Sequence, residues 1–192
     1  LFLLFHVRPD IGLALIAFSA PFYLQPRPLF ERVFSTVEVF TIVAAMSAGW
    51  HLASNLRRRM PSVKFDLSRL TSLDVAVSSF TFLSAISLLT ADLRREALGE
   101  FRVIVVEPAL VYLMLRTLPL NKKDIWRVAD FFVLGATLVA LIGLYQYAVG
   151  SNLIAAEGGV MRLRSVYGSP NNVGLYLGRA LPVALAVTLL GR

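Results

Sequence analysis

The sequence predicts an all-α, polytopic transmembrane helical bundle of about six spans plus the tail of a preceding one. The mean hydropathy of the 192 residues is +0.69, and only 16% of them are charged. Apolar runs close to membrane-spanning length recur along the chain, and the polar connections between them are short. These observations favour a single transmembrane domain over residues 1–192.

Proline, glycine and charged residues bound the predicted spans. Continuous hydrophobicity between these breaks places the spans at about 11–25, 33–53, 73–91, 101–119, 128–149 and 172–190. Residues 1–5 are apolar and resemble the tail of a preceding span. Because the chain starts on leucine within that run and stops directly after another span, we expect it to be a fragment of a longer membrane protein.

The distribution of lysine and arginine predicts the orientation of the spans. The connections after the second and fourth spans share one side of the membrane and are basic, and we place that side in the cytoplasm. The basic residues assigned to it are Arg8, Arg57, Arg58, Arg59, Lys64, Arg69, Lys122, Lys123, Arg127 and Arg192. The opposite side receives fewer basic residues and no lysine. The loop at 150–171 is then extracytoplasmic, and the net charge of +7 reflects topology rather than binding to nucleic acid.

The polar stretch RLRSVYGSPNNVG, residues 162–174, lies between two apolar runs and contains residue types that bind anions. Ser169 and Pro170 predict a helix start, because serine is a favoured N-cap and proline suits the first helical position. The free N–H groups and the positive dipole end of such a helix attract anions. Arg162 and Arg164, just upstream, can each hold phosphate oxygens through two parallel hydrogen bonds.

Three further residues extend this site. The amides of Asn171 and Asn172 add hydrogen-bond donors, and Gly168 allows the backbone to turn tightly or approach a ligand. Together with the arginines they predict a site for a pyrophosphate-sized anion at headgroup depth. The same residue types also form ordinary turns, and arginines beside a membrane also bind lipid phosphates. Both interpretations stay open at this point.

Three ionisable residues lie inside predicted spans, where a charge is costly unless it faces a partner or a cavity. Glu38, Glu107 and Arg179 each lie a few residues into a span that runs inward from the outer side. Their depths are similar, very roughly 8 to 10 Å. We expect Glu38 or Glu107 to neutralise Arg179 at the floor of an outward-facing cavity, with Tyr167 as a further lining residue. An ion pair that only joins helices is the alternative.

The sequence contains few residues that could bind a metal or a cofactor. The chain contains no cysteine, which excludes disulfides, thiolate catalysis and cysteine-bound metals within it. Its two histidines, His6 and His51, are remote from each other in sequence. We therefore expect no metal and no cofactor. His51 and Arg116 lie near the inner ends of predicted spans and are interpreted as structural.

Residues 160–187, VMRLRSVYGSPNNVGLYLGRALPVALAV, resemble a segment of the O-antigen ligase-like family. In that segment an arginine is followed by a small residue, an aromatic residue, a glycine, a Pro-Asn pair and a later Leu-Pro step. The corresponding residues here are Arg162, Ser165 where many members have glycine, Tyr167, Gly168, Pro170-Asn171 and Leu181-Pro182. The remainder of the chain is similar to the family only as a series of short-looped spans.

Members of this family are multi-spanning bacterial enzymes of cell-envelope polysaccharide assembly, including lipopolysaccharide. The resemblance implies metal-independent transfer of a glycan from an undecaprenyl-pyrophosphate carrier to an acceptor, at the outer face of the cytoplasmic (inner) membrane, by a ligase or a polymerase. Arg162 and Arg164 would bind the pyrophosphate, and the partners would be the lipid-linked glycan and membrane lipid.

The chain also departs from the family pattern. The ligases carry a second functional arginine and the proposed histidine base in a large extracytoplasmic loop further toward the C-terminus, and neither is present here. We therefore expect this fragment to lack the catalytic base. A membrane transporter or flippase-like protein without glycosyl transfer is the alternative function, followed by a purely structural membrane subunit.

Overall fold

The described part of the chain is a bundle of α-helices, as predicted. The computed structural model describes residues 1–23, 27–29, 32–59, 70–155 and 157–190, and it is about 81% helical. Several basic residues on which the predicted orientation depends lie outside this description. They are Lys64, Arg69, Arg192 and the side chains of residues 57–59. The assignment of one side to the cytoplasm therefore stays a prediction.

Eight α-helices are numbered here in chain order within these residues. They are α1 (Phe2–Val7), α2 (Pro9–Ser19), α3 (Thr36–Arg59), α4 (Ser72–Ser87), α5 (Arg94–Glu100), α6 (Glu107–Thr117), α7 (Lys122–Ala148) and α8 (Pro170–Leu190). Short 3-10 turns follow α2 at Ala20–Phe22 and α4 at Leu88–Thr90, and a π-helical segment, Phe101–Val106, joins α5 to α6. Two antiparallel hairpins pair β1 (Arg27–Leu29) with β2 (Arg32–Phe34), and β3 (Leu153–Ala155) with β4 (Met161–Leu163). Neither hairpin was predicted.

Four helices in the described residues are long and apolar enough to cross a membrane. They correspond to the second, third, fifth and sixth predicted spans and cover Thr36–Ser54, Ser72–Thr90, Lys122–Ala148 and Pro170–Leu190. The first predicted span is a shorter apolar helix, Pro9–Phe22. The fourth is a continuous helical stretch from α5 to α6, which is π-helical at Phe101–Val106, just before Pro108, a residue with no N–H to donate to the preceding turn. The predicted count of six spans is therefore not confirmed.

Capping boxes begin three of these helices. At the start of α3 the backbone N–H of Glu38 donates to Ser35 Oγ at 3.2 Å, and the backbone N–H of Ser35 donates to Glu38 Oε2 at 2.5 Å. The same reciprocal bonds start α4 and α7. They satisfy N–H groups that have no partner within the first turn. Because α3 begins at Thr36 rather than near residue 33, Glu38 lies in the first turn instead of deeper in the span.

α2 occupies the centre of the bundle, with α3 and α7 packed against it. Its close approach to α7 requires Gly135, where a Cβ atom would lie 2.8 Å from the carbonyl oxygen of Phe18. The larger apolar core joins α1, α2, α3 and the end of α6 and contains Phe5, Leu13, Ile16, Ala44, Ala48, Met114 and Leu118. A smaller core, formed around Val139 of α7 and around Tyr167 and Val173 of the polar stretch, packs that stretch against α7.

Contacts between helix ends show which ends share a side of the bundle. Arg116 at the end of α6 pairs with Asp74 at the start of α4, with 3.3 Å between Nε and Oδ1. At the opposite end, the rings of Tyr23 after α2 and Tyr167 before α8 lie 6.3 Å apart. The loop before α8 therefore shares a side with the end of the first predicted span, as the predicted order of spans requires. Arg116, interpreted from the sequence as structural, thus joins the end of α6 to the start of α4 through its ion pair with Asp74.

Candidate anion-binding loop

The helix start predicted at Ser169 and Pro170 is confirmed. α8 begins at Pro170, and Ser169 Oγ accepts a hydrogen bond from the backbone N–H of Asn171 at 3.3 Å. The side chains of Asn171 and Asn172 are exposed in the first turn. The positive dipole end of α8 and two amide side chains are thus open on the loop side.

The two arginines upstream of α8 differ in their surroundings. Arg162 lies in β4 opposite Ile154, and its side chain is exposed. Arg164 follows β4 and is half-buried, and its Nε atom is buried with no hydrogen-bond partner among the described residues. A buried N–H without an acceptor is costly and rare. Arg164 therefore holds a donor for which the described part of the chain supplies no acceptor.

Ser165 fixes the turn that follows Arg164. It is buried and has a φ of 50°, in the left-handed region that favours glycine. Its Oγ donates a hydrogen bond of 2.6 Å to the carbonyl oxygen of Val139 in α7. Serine at this position, where many members of the resembled family have glycine, thus keeps the glycine-like backbone and adds a bond that ties the loop to α7.

Two amide side chains that sequence reasoning did not single out hold the carbonyl oxygen of Ser165. Asn152 Nδ2 donates to it at 2.8 Å and Gln146 Nε2 at 3.3 Å, and Asn152 Nδ2 also lies 3.0 Å from Gln146 Oε1. Gly143 lets the loop approach α7, since a Cβ atom there would lie 3.0 Å from Leu163 Cδ1. The signal for Gln146 was its amide within an apolar run, because such an amide requires a partner.

Replacement of Ser165 by alanine is expected to destabilise the protein by about 1–2 kcal/mol, because alanine keeps the strained backbone and loses the bond to Val139. Glycine at this position loses the same bond but relieves the backbone, so S165G should be destabilised less than S165A. Thermal unfolding of the purified protein in detergent measures both. Equal Tm values for wild type, S165A and S165G would contradict an anchoring role for the hydroxyl.

Tyr167 packs beneath the loop. Its side chain is only 7% exposed, and its ring lies 6.3 Å from that of Tyr23 and 5.9 Å from that of Tyr176. Burial raises the pKa of Tyr167, so the hydroxyl stays neutral at physiological pH. Tyr167 therefore supports the loop by packing, and little of its surface is open to a ligand.

The predicted ion pair between Arg179 and Glu38 or Glu107 is not formed. Glu38 Oε1 instead pairs with Nη2 of Arg102 at 2.6 Å, and Glu107 interacts with the same two residues. Glu38 and Glu107 thus lie close to each other, and the cation between them is Arg102. Arg179 is exposed, on the α8 face that also carries Asn171. Helix packing explains the difference, because α8 packs against α7, whereas α3 packs against α1, α2 and α6.

A cavity of about 970 Å³ lies between α2, α3 and the stretch from α5 to α6. Its wall is mainly apolar, and its polar lining residues include Tyr23, Thr41, Glu100, Arg102 and Glu107. Tyr23 also contacts Tyr167, so the cavity borders the packing beneath the loop. Within the described residues, this cavity and the arginine-bearing loop are two places where polar groups collect on this side of the bundle.

The two histidines are remote in sequence but meet in the structure. The rings of His6 and His51 stack with centroids 4.0 Å apart, and His51 Nε2 lies 2.7 Å from the carbonyl oxygen of His6. This contact joins α1 to α3. Within the described ranges, the histidine and acidic side chains form no group of three that could hold a metal ion.

Comparison with known proteins finds no matching family, no matching curated protein and no matching solved structure for this chain. The basis for a function is therefore the set of residues in the loop, their surroundings, and the resemblance carried by residues 160–187.

Proposed function

We propose that this protein is a membrane glycosyltransferase of the O-antigen ligase or polymerase type. It transfers a glycan from an undecaprenyl-pyrophosphate carrier to an acceptor during assembly of the bacterial cell envelope. In this proposal the chain contributes six spans to the cytoplasmic membrane, and the loop at 150–171 faces outward. The observation that carries the proposal is Arg164, whose buried Nε has no partner in the described residues and whose loop is anchored to α7 shortly before the start of α8.

A pyrophosphate is the anion that best matches these groups. Arg164 presents a planar fork of donors, and Arg162 adds an exposed positive charge close by in sequence. The first turn of α8 adds backbone N–H groups, a positive dipole end and the amides of Asn171 and Asn172. A pyrophosphate has enough acceptor oxygens to bond to the loop and the helix start together.

The proposed reaction breaks the bond between the anomeric carbon of the glycan and the pyrophosphate oxygen. The oxygen of an acceptor hydroxyl forms the new bond to that carbon, and a base takes the hydroxyl proton. Negative charge grows on the departing pyrophosphate, where Arg162 and Arg164 stabilise it. No described residue is assigned as the base, in keeping with the resemblance, which places the base in a later loop.

Replacement of Arg162 by alanine in the full-length protein is expected to lower glycan transfer about tenfold, the loss expected for one charge-assisted contact at an exposed site. Lysine keeps the charge without the fork, so R162K should recover only part of the rate. Transfer is followed in membrane vesicles from a labelled lipid-linked glycan, at matched protein amounts. Arg95→Ala, an exposed arginine on α5, is the control and should transfer normally. Unchanged transfer by R162A would remove Arg162 from the mechanism.

A transporter or flippase is the second candidate, and one observation favours it. The stretch from α5 to α6 becomes π-helical over Phe101–Val106, and Arg102 and Glu107 there line the cavity. π-Helical stretches within helices are frequent at functional sites, and charged groups inside membrane spans often mark substrate pathways. Translocation of a fluorescent lipid in reconstituted vesicles, together with no glycan transfer by the full-length protein, would favour this candidate.

A further inference from the structure

The cavity between α2, α3 and the stretch from α5 to α6 has an excess of carboxylates. Glu100 and Glu107 line it, and the buried Glu38 borders it through its ion pair with Arg102. Arg102 is the one cationic side chain among the described residues that line this cavity. Glu107 shares a single guanidinium with Glu38 and is also hydrogen-bonded to Glu38, so one carboxylate charge of the pair must be neutralised by a proton or by a second cation. Such a charge at membrane depth is costly without a partner.

Thr41 is a second unsatisfied group in the same cavity. It follows Glu38 by three residues on the same face of α3 and is 1% exposed. Its Oγ1 has no hydrogen-bond partner among the described residues. Other threonines in these helices donate to a carbonyl of the preceding turn, as do Thr81, Thr117, Thr137 and Thr188. The hydroxyl of Thr41 thus holds a donor and an acceptor that no described residue uses, in the lining of the cavity.

The rest of the cavity wall favours a ligand whose larger part is apolar. It is formed largely by aliphatic side chains of three helical stretches, among them Leu13, Ile16, Val37, Val103, Val111 and Leu115. The volume of about 970 Å³ lies at the upper end of the roughly 300–1,000 Å³ typical of small-molecule sites. A molecule that fits this cavity therefore combines a long apolar part with a small polar head near Thr41 and Glu107.

We propose that this cavity binds an amphiphile with a primary ammonium head. The head donates hydrogen bonds to the Glu107 carboxylate and to Thr41 Oγ1, and its charge balances the excess of carboxylates. A primary ammonium has three N–H donors, enough for both contacts. The excess negative charge disfavours an anionic lipid here, so the cavity is distinct from the arginine-bearing loop.

Dodecylammonium is the probe that tests this site. It is titrated into the full-length protein in phosphatidylcholine nanodiscs, and binding is followed by calorimetry with empty nanodiscs subtracted. Saturable binding is expected. Dodecanol, which has the same chain without the charge, should bind about tenfold more weakly, the loss expected for a hydrogen bond to a charged group. Glu107→Gln should lower the affinity for dodecylammonium about tenfold, and Thr41→Val about fivefold.

Glu96→Gln is the matched control, because Glu96 is exposed on α5 and does not line the cavity. This variant should bind dodecylammonium as the wild type does. Equal binding of dodecanol and dodecylammonium would overturn the proposal, because it would show that Glu107 holds a proton rather than a cation. Wild-type affinity in both E107Q and T41V would also overturn it. If E107Q does not fold, T41V, which conserves side-chain size, decides the question alone.

Discussion

Under the proposed function, replacement of Arg164 by alanine is expected to reduce glycan transfer by the full-length protein about a hundredfold, the loss typical of removing one preorganised donor from developing negative charge. The effect should exceed that of Arg162, because Arg164 is half-buried and its Nε is shielded from water, whereas Arg162 is exposed. A hydrogen bond to an anion is stronger where the local dielectric constant is lower. Transfer from the labelled lipid-linked glycan in membrane vesicles measures the difference.

Arg164→Lys distinguishes charge from geometry at this position. Lysine keeps the positive charge but has no Nε–H in a planar fork, so R164K should transfer nearly as poorly as R164A. Thermal unfolding of both variants in detergent provides the structural control, since the loop is anchored by Ser165 rather than by the Arg164 side chain. Normal transfer by R164A would contradict the proposed function. Loss of transfer with an equally large fall in Tm would assign Arg164 a structural role instead.

Replacement of Glu38 by alanine is expected to destabilise the protein by about 2–4 kcal/mol. The carboxylate is buried and has two partners, the backbone N–H of Ser35 at 2.5 Å and the guanidinium of Arg102 at 2.6 Å. Loss of a helix cap costs about 1 kcal/mol, and loss of one partner of a buried ion pair costs about 3–5 kcal/mol. The second value is reduced here because the Arg102 side chain is 42% exposed.

Two variants separate these contributions to the free energy of unfolding. Glu38→Gln keeps an oxygen acceptor for the cap and removes the charge, so it should lie between wild type and E38A. Ser35→Ala removes the other cap bond and leaves the ion pair intact, so it should cost about 1 kcal/mol. Denaturant unfolding in detergent compares the three variants. An E38A variant no less stable than S35A would show that the pair with Arg102 contributes nothing.

Local signals in the sequence predicted the parts of the fold that depend on neighbouring residues. The apolar runs predicted the long helices because each helix satisfies its own backbone hydrogen bonds. Ser169 and Pro170 predicted the start of α8 because capping involves only residues within one turn. The spacing of Ser35 and Glu38 is an equally local capping signal, and it places Glu38 in the first turn of α3.

The π-helical segment at Phe101–Val106 and the short hairpins are not predicted by hydropathy. Pro108 lies within an apolar run, and an average over that run does not register one missing N–H. The hairpin of β3 and β4 lacks a strong alternation of apolar and polar residues, so its pairing was not predicted. The π-helical segment lines the cavity, and the hairpin of β3 and β4 carries Arg162.

By itself, the sequence determined the helical class, most of the long apolar helices, the start of α8 and the position of the arginines before it. Only the tertiary structure decided that Glu38 pairs with Arg102 rather than Arg179, that Tyr167 is buried, and that Ser165 bonds to α7. Hydropathy and capping depend on residues that are close in sequence, so the sequence alone predicts the helices and their starts. The pairing of side chains from different helices depends on which helices pack together, and that is set by contacts across the whole bundle, such as the close approach at Gly135.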